Sequence, residues 1–151
     1  MCKTFLPHLL ARPEGHIATV SSMGGFVPVP GQTAYGASKA AVKLLTEGLN
    51  SELLDTNVRV TLIFPGAIGT NIVVNSGAMT KEQMSAASSG AAAYKTTPSP
   101  VAATQIIAGI EKNAYHVYIG SDSKLMGRLT RLMPRRAAKM IYSQMKSLLP
   151  G

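Results

Sequence analysis

A tyrosine and a lysine stand four positions apart in the stretch TAYGASKAAV, residues 33–42. Residues with this spacing share one face of a helix, so the Lys39 ammonium can lie close to the Tyr35 hydroxyl. A free tyrosine exchanges protons poorly near neutral pH, and a neighbouring cation favours its phenolate form. The pair could therefore give a proton to a developing alkoxide or take one from an alcohol. Tyr142 and Lys146 have the same spacing in YSQMK, so spacing alone does not identify a site.

The elements that must position this pair are predicted from the periodicity of the apolar residues. An alternating segment over 16–21 indicates a strand that ends in the loop SMGG, and NVRVTLIF over 57–64 indicates an apolar strand stopped by PG. The other predicted elements are the end of a helix in residues 1–15, helices over 33–54, 81–87 and 100–113, a strand over 116–120, and amphipathic helices over 124–133 and 135–149. Ser99 is the predicted N-cap of the helix over 100–113, and Pro134 separates the last two helices.

This alternation of strands and helices predicts one α/β domain over residues 1–151. Its expected architecture is a partial doubly wound, Rossmann-like parallel sheet of about three strands, followed by C-terminal amphipathic helices. In such a sheet, ligands bind beyond the carboxyl ends of the strands.

Three polar side chains should converge at that edge of the sheet. The first strand ends at Ser21 and Ser22, and Tyr35 and Lys39 lie near the start of the helix that follows it. Ser22 could hold a substrate oxygen as a preorganised hydrogen-bond donor. The arrangement suits carbonyl reduction or alcohol oxidation, and the hydride would come from a cofactor, since no side chain supplies one.

The segments GHIATVSSMGG, YGASKAAV and PGAIGT resemble, in this order and at this spacing, the catalytic half of the short-chain dehydrogenase/reductase family. The resemblance implies an NAD- or NADP-dependent oxidoreductase in which Ser22 polarises the substrate oxygen and Tyr35 is the general acid/base. Lys39 would stabilise the phenolate and bind the nicotinamide ribose. The residues that the resemblance assigns to the cofactor are Tyr35, Lys39, Pro65, Gly66, Ile68 and Thr70.

The sequence departs from the family in the part that would bind the pyrophosphate and adenosine of the cofactor. No two of its 14 glycines are separated by exactly one residue, so the G-x-G cradle for a pyrophosphate is absent. The family's Asn-Ala-Gly-type motif and its catalytic asparagine also have no counterpart, and the preference between NAD and NADP stays open. The alternative function is a non-catalytic relative that acts as an interaction or dimerisation module. In the family, the helix corresponding to residues 33–54 commonly packs against its mate, so a homo-oligomer or a complex with a full-length relative is expected.

The composition excludes several other classes of protein. Hydrophobic residues make up 46% of the chain and charged residues 15%, which is typical of a globular domain. Cys2 is the only cysteine, so an internal disulfide framework is excluded and a reducing, cytoplasmic location is expected. No metal-ligand spacing is present, and His8, His16 and His116 are predicted to be structural.

The C-terminal residues 123–151 form a basic amphipathic tail within the same domain. The net charge of the chain is +8, and this tail holds seven basic residues and no acid. We expect a solvated helical face, with peripheral membrane contact as the rival interpretation. Nucleic acid is not expected, because the tail has one aromatic residue, Tyr142, and no binding motif.

Two further expectations concern apolar residues. The segment 71–98, where family members place substrate contacts, is rich in Ala, Ser and Met, which favours a small neutral or apolar alcohol or ketone. Four of the eight methionines lie in the last 30 residues, and Met at helical spacing is predicted to pack in the core.

Overall fold

The computed structural model describes residues 2–70 and 96–146, along which strands and helices alternate. The strands are β1 (Gly15–Val20), β2 (Val58–Pro65), β3 (Ile68–Gly69), β4 (Thr97–Pro98) and β5 (His116–Ile119). The helices are α1 (Cys2–Leu10), α2 (Thr33–Glu52), α3 (Ser99–Glu111), α4 (Ser121–Leu132) and α5 (Pro134–Met145), and a short 3-10 helix spans Met23–Gly25. None of the described helices is both long enough and apolar enough to cross a membrane.

The main sheet has three parallel strands in the order β1-β2-β5. Val20 pairs with Ile63 at the end of β1, and Ile119 pairs with Pro65 at the end of β5. Parallel neighbours require crossover connections, and α2 makes the one between β1 and β2. The three carboxyl ends therefore lie at one edge of the sheet. The α/β, Rossmann-like prediction is confirmed.

The central strand β2 is covered on both faces. Ile63 packs with Ala102 of α3 on one face. On the other face, the Phe64 ring lies 5.1 Å from the Phe26 ring and 5.2 Å from the Tyr118 ring, measured between centroids. Burial on both faces explains why this strand is a near-continuous apolar run rather than an alternating one.

The two C-terminal helices pack on the segment that follows β1. Their shared core consists of the buried residues Val27, Met126, Ala137 and Ile141, with Met140 and Met145 packed against them. Three of the four C-terminal methionines thus pack in the core, as expected. The helices are separated at Pro134, which becomes the first residue of α5, where its missing N–H costs no hydrogen bond.

Three details differ from, or lie beyond, the sequence-based predictions. Ser99 is not an N-cap: α3 begins at Ser99 itself, and Pro98 (φ −58°, ψ 140°) occupies the N-cap without a side-chain hydrogen bond. Pro98 is held in the β3–β4 ladder, so the chain turns into the helix directly after it. This ladder joins segments far apart in the sequence, and no local pattern predicts it. The predicted helix over 81–87 and the end of the helix predicted to reach residue 149 lie outside the described residues.

Candidate active site

Ser22 lies two residues after the end of β1 and is the N-cap of the short 3-10 helix. Its backbone is extended (φ −163°, ψ 158°), and its Oγ accepts a hydrogen bond from the Gly24 N–H at 3.1 Å. The Ser21 N–H donates to the Ile63 carbonyl at 2.9 Å, which holds the end of β1 beside the end of β2. Because Oγ is the acceptor in its contact with Gly24, the hydroxyl hydrogen of Ser22 is free to point at a ligand.

The turn after β1 lies in very close contact with α2. The Ser21 Oγ–H donates to the Lys39 carbonyl at 2.8 Å. A Cβ added to Gly25 would lie 2.9 Å from the Lys39 carbonyl oxygen, and one added to Gly36 would lie 3.2 Å from the Gly24 carbonyl oxygen. Glycines on both sides therefore let the two backbones approach, and this approach sets the position of Ser22 relative to the helix.

Tyr35 and Lys39 lie in the first two turns of α2. A Cβ added to Gly24 would lie 3.0 Å from Tyr35 Cε1 and 3.6 Å from Ser22 Oγ, so the phenol ring and the serine hydroxyl both border Gly24. Lys39 Nζ lies 5.7 Å from the centroid of the Tyr35 ring. The two side chains therefore share one face of α2, as their spacing predicts. Tyr35 is 46% exposed, which leaves it accessible to a ligand.

The turn that follows β2 lies at the same edge of the sheet. The Gly66 N–H donates to the Ile119 carbonyl at 3.0 Å, and the Ala67 carbonyl accepts from the Thr97 N–H at 2.8 Å. These two bonds hold the turn against β5 and β4. Its backbone is thus fixed at the carboxyl end of the central strand, the position that the sequence predicts for PGAIGT.

Sequence reasoning missed Asp122, which anchors this turn. Its Oδ2 accepts a hydrogen bond from the Ala67 N–H at 2.8 Å. The carboxylate fills the space where a Cβ on Gly66 or Gly120 would stand, and Gly120 adopts a positive φ of 89°. The sequence signal available was an acidic residue in the first turn of α4, a helix that begins directly after Gly120. That signal also fits an ordinary helix N-terminus and does not single out a contact to a distant turn.

The structure therefore brings Ser22, Tyr35 and Lys39 together and places the turn over 65–70 on the same edge. Within the described parts of the chain, no hydrogen bond joins that turn to any of the three side chains. Tyr142 lies in the last turn of α5 and Lys146 is the C-cap residue of that helix, so this second pair is on a different helix from Tyr35 and Lys39.

An apolar cleft of about 780 Å³ extends from Gly24 toward the C-terminal helices. Its walls include Phe26, Val29 and Ala40 on one side and Tyr142 on the other. Because Gly24 also borders Ser22 and Tyr35, the cleft begins beside the polar cluster. Ser22 and Tyr35 therefore have apolar residues on one side.

Two histidines are built into the sheet. His16 Nε2 lies 2.9 Å from Thr61 Oγ1, and burial lowers the pKa of His16. His116 Nδ1 lies 3.2 Å from Arg131 Nη2, and Nε2 lies 3.0 Å from Glu47 Oε1 without hydrogen-bond alignment. A guanidinium only donates, so Nδ1 accepts and the proton of the neutral ring lies on Nε2.

The pKa of His116 is lowered, chiefly by burial. The Glu47 carboxylate opposes this effect, and the Arg131 guanidinium adds to it. Both histidines thus have structural contacts in the sheet, in agreement with the role predicted for them.

Comparisons with known proteins agree with this geometry. The family model described as short chain dehydrogenase matches residues 1–81. SadH of Mycobacterium tuberculosis is 33% identical over 151 residues, which cover 98% of this chain and 55% of SadH. The dehydrogenase/reductase SDR family member 7B of Mus musculus is 40% identical over 75 residues, covering 50% of this chain and 23% of that protein.

Solved structures show the same fold. A short chain dehydrogenase from Burkholderia cenocepacia in complex with NADP superposes with a TM-score of 0.75 at 25% identity, covering 93% of this chain and 52% of that one. A short chain dehydrogenase/reductase from Burkholderia phymatum in complex with NAD has the same fold, with a TM-score of 0.66 at 23% identity over 87% of this chain. The chain spans about half the length of SadH and of these two structures. On the family match and the shared fold, the chain belongs to the short-chain dehydrogenase/reductase family of oxidoreductases.

Proposed function

We propose that this chain carries the catalytic, nicotinamide-facing part of an oxidoreductase that interconverts a neutral or apolar alcohol and its ketone. The observation that carries the proposal is that Ser22 and Tyr35 both border Gly24 at the carboxyl edge of the sheet, with Lys39 Nζ 5.7 Å from the centroid of the Tyr35 ring. A hydroxyl donor, a titratable phenol and a fixed cation are what proton transfer to a carbonyl oxygen requires.

Each side chain has a separate role in the proposed reaction. Ser22 donates its free hydroxyl hydrogen to the substrate oxygen, since its Oγ already accepts from the Gly24 N–H. Tyr35 gives its proton to the oxygen as alkoxide character develops, or removes the proton in the oxidation direction. Lys39 stabilises the resulting phenolate through its charge.

The described residues fit the nicotinamide end of NAD or NADP. The nicotinamide, when bound, supplies or accepts the hydride. Lys39 would bind its ribose, and the backbone of the turn over 65–70, with Ile68 and Thr70, would face its carboxamide. The relatives solved with NADP and NAD support a nicotinamide cofactor without deciding between the two. The pyrophosphate end does not fit this chain, because it holds no G-x-G sequence.

The substrate class is argued from the apolar cleft. It begins at Gly24, beside Ser22 and Tyr35, and its walls carry no charged side chain among the residues that the structure describes. A substrate that places its carbonyl at Ser22 would extend its remaining atoms along this cleft. Burying a charged group there would be costly, so neutral or apolar alcohols and ketones are favoured.

The test compares two Tyr→Phe substitutions in the purified chain. Binding of NAD(H) and NADP(H) is measured by calorimetry, and turnover is measured with a panel of neutral ketones and alcohols. Tyr35→Phe is expected to lower turnover by about 10²- to 10⁴-fold with cofactor affinity nearly unchanged. Lys39→Ala should reduce both quantities. Tyr142→Phe removes the same hydroxyl from the comparison pair, in the wall of the cleft, and should lower turnover far less than Tyr35→Phe. Equal harm from both Phe variants would refute the assignment.

A second function is favoured by the outer face of α2. Leu44 and Leu45 are each 70% exposed there, and an exposed apolar pair on a long helix is typical of a helix–helix interface. The chain could therefore act as a dimerisation module for a second copy or a full-length relative. Light scattering would then show a complex that Leu44→Ser breaks, with no turnover. A monomer with measurable turnover would exclude this alternative.

A further inference from the structure

Among the residues that the structure describes, the strand β5 is paired along one edge only. It pairs with β2 alone in the described sheet. The Leu62 N–H of β2 donates to the carbonyl of Tyr115, the residue before β5, at 2.9 Å, and the N–H of Gly66, the residue after β2, donates to the Ile119 carbonyl at 3.0 Å. Alternation along a strand turns the backbone N–H and C=O groups of His116 and Tyr118 toward the opposite edge. Two donors and two acceptors are thus available there to another extended chain.

A groove of about 570 Å³ runs along this edge, between α3 on one face of the sheet and α4 on the other. Its floor includes Val117 and Tyr118, and the small residues Gly109 and Gly127 keep the helices close to the sheet. Residues of both helices line the groove together with β5, so the groove lies beside the edge of this strand that faces away from β2. An added strand would lie about 4.8 Å from β5 in this space.

The walls of the groove are positively charged. They carry four basic side chains and, among the residues described, no acidic one; the four are Lys112, Lys124, Arg128 and Arg131. Three of them form a row along α4 at spacings of four and three residues, an arrangement that destabilises an isolated helix. No described carboxylate forms an ion pair with this row. The charge is therefore directed into the groove.

We propose that this edge binds an extended acidic segment of another polypeptide by strand addition to β5. Backbone hydrogen bonds to His116 and Tyr118 would provide the pairing. Side chains of the added strand alternate between the two faces, so acidic residues would meet Lys112 on the α3 side and Lys124 and Arg128 on the α4 side. A second copy of this chain fits poorly, because edge-to-edge pairing would bring two cationic rows together.

The test uses a fluorescein-labelled peptide in which pairs of Glu alternate with pairs of Val, so that Glu side chains point to both faces of an added strand. Its binding to the purified chain is measured by anisotropy. The acidic peptide should bind, and the same sequence with Lys in place of Glu should not. A version N-methylated on alternate backbone nitrogens keeps the charge but cannot pair with a strand edge, so it should also lose binding. Equal affinity for the N-methylated and parent peptides would overturn the proposal in favour of unspecific attraction.

Variants of the groove complete the test. K124E/R128E is expected to weaken binding about tenfold or more, and the neutralising pair K124A/R128A to weaken it less. R135E/K139E is the matched control: it makes the same charge change on α5, away from the groove, and should leave affinity nearly unchanged. No binding by the native chain, an equal loss in the control, or equally tight binding of a single-stranded oligonucleotide would each refute an acidic-strand site.

Discussion

The close approach of two backbones at Gly25 provides the sharpest test of how the candidate site is positioned. Gly25 lies in the turn that carries Ser22, and a Cβ there would stand 2.9 Å from the Lys39 carbonyl oxygen and 3.0 Å from its carbonyl carbon. Both partners are backbone atoms of α2, which cannot move aside as a flexible side chain would. Gly25→Ala must therefore push the turn away from the helix.

The magnitude follows from two contributions. Overpacking at a tight contact costs about 1–3 kcal/mol. The same displacement weakens the 2.8 Å hydrogen bond from Ser21 Oγ to the Lys39 carbonyl, a loss of about 0.5–1.5 kcal/mol. We expect Gly25→Ala to lower the free energy of unfolding by about 1.5–4.5 kcal/mol, and to separate Ser22 from Tyr35.

Gly48 provides the matched control, since a Cβ at this exposed position of α2 would meet nothing within 4 Å. Gly48→Ala replaces a flexible residue inside a helix and should raise the free energy of unfolding by about 0.5–1 kcal/mol. Urea unfolding followed by circular dichroism measures both variants. If the two substitutions shifted stability in the same direction, the close approach could not be what holds the turn.

Three further outcomes are expected. Ser123→Ala removes the buried hydroxyl that donates to the Phe64 carbonyl at 2.8 Å and should cost about 1–3 kcal/mol in urea unfolding. Asp122→Ala leaves the Ala67 N–H unpaired and should speed its amide exchange, measured by NMR, whereas Asp122→Asn keeps an acceptor and should have a smaller effect. Burial lowers the pKa of His116, so the folded state holds fewer protons than the unfolded state. The stability from this group is complete above the ordinary histidine value of 6.5 and is lost as pH falls below it, so the urea midpoint of His116→Gln should depend less on pH in that range.

Much of the candidate site was predictable because it depends on short-range pattern. The helical spacing of Tyr35 and Lys39 places them on one face of α2, and the strand endings place Ser22 and the turn over 65–70 at one edge of a parallel sheet. The sequence also predicted the apolar strand β2, since a strand covered on both faces is apolar along nearly its whole length.

Other features were decided by tertiary contacts alone. Asp122 reaches Ala67 across 55 positions of sequence, and the β3–β4 ladder joins segments that share no local pattern. The backbone contact between Gly25 and Lys39 depends on how closely a turn and a helix pack, which the identity of a single glycine does not reveal. Composition and periodicity thus determined which elements form and which side chains could do chemistry. The distances among those side chains follow from the packing of residues that are remote in sequence, and only the folded chain brings them into contact.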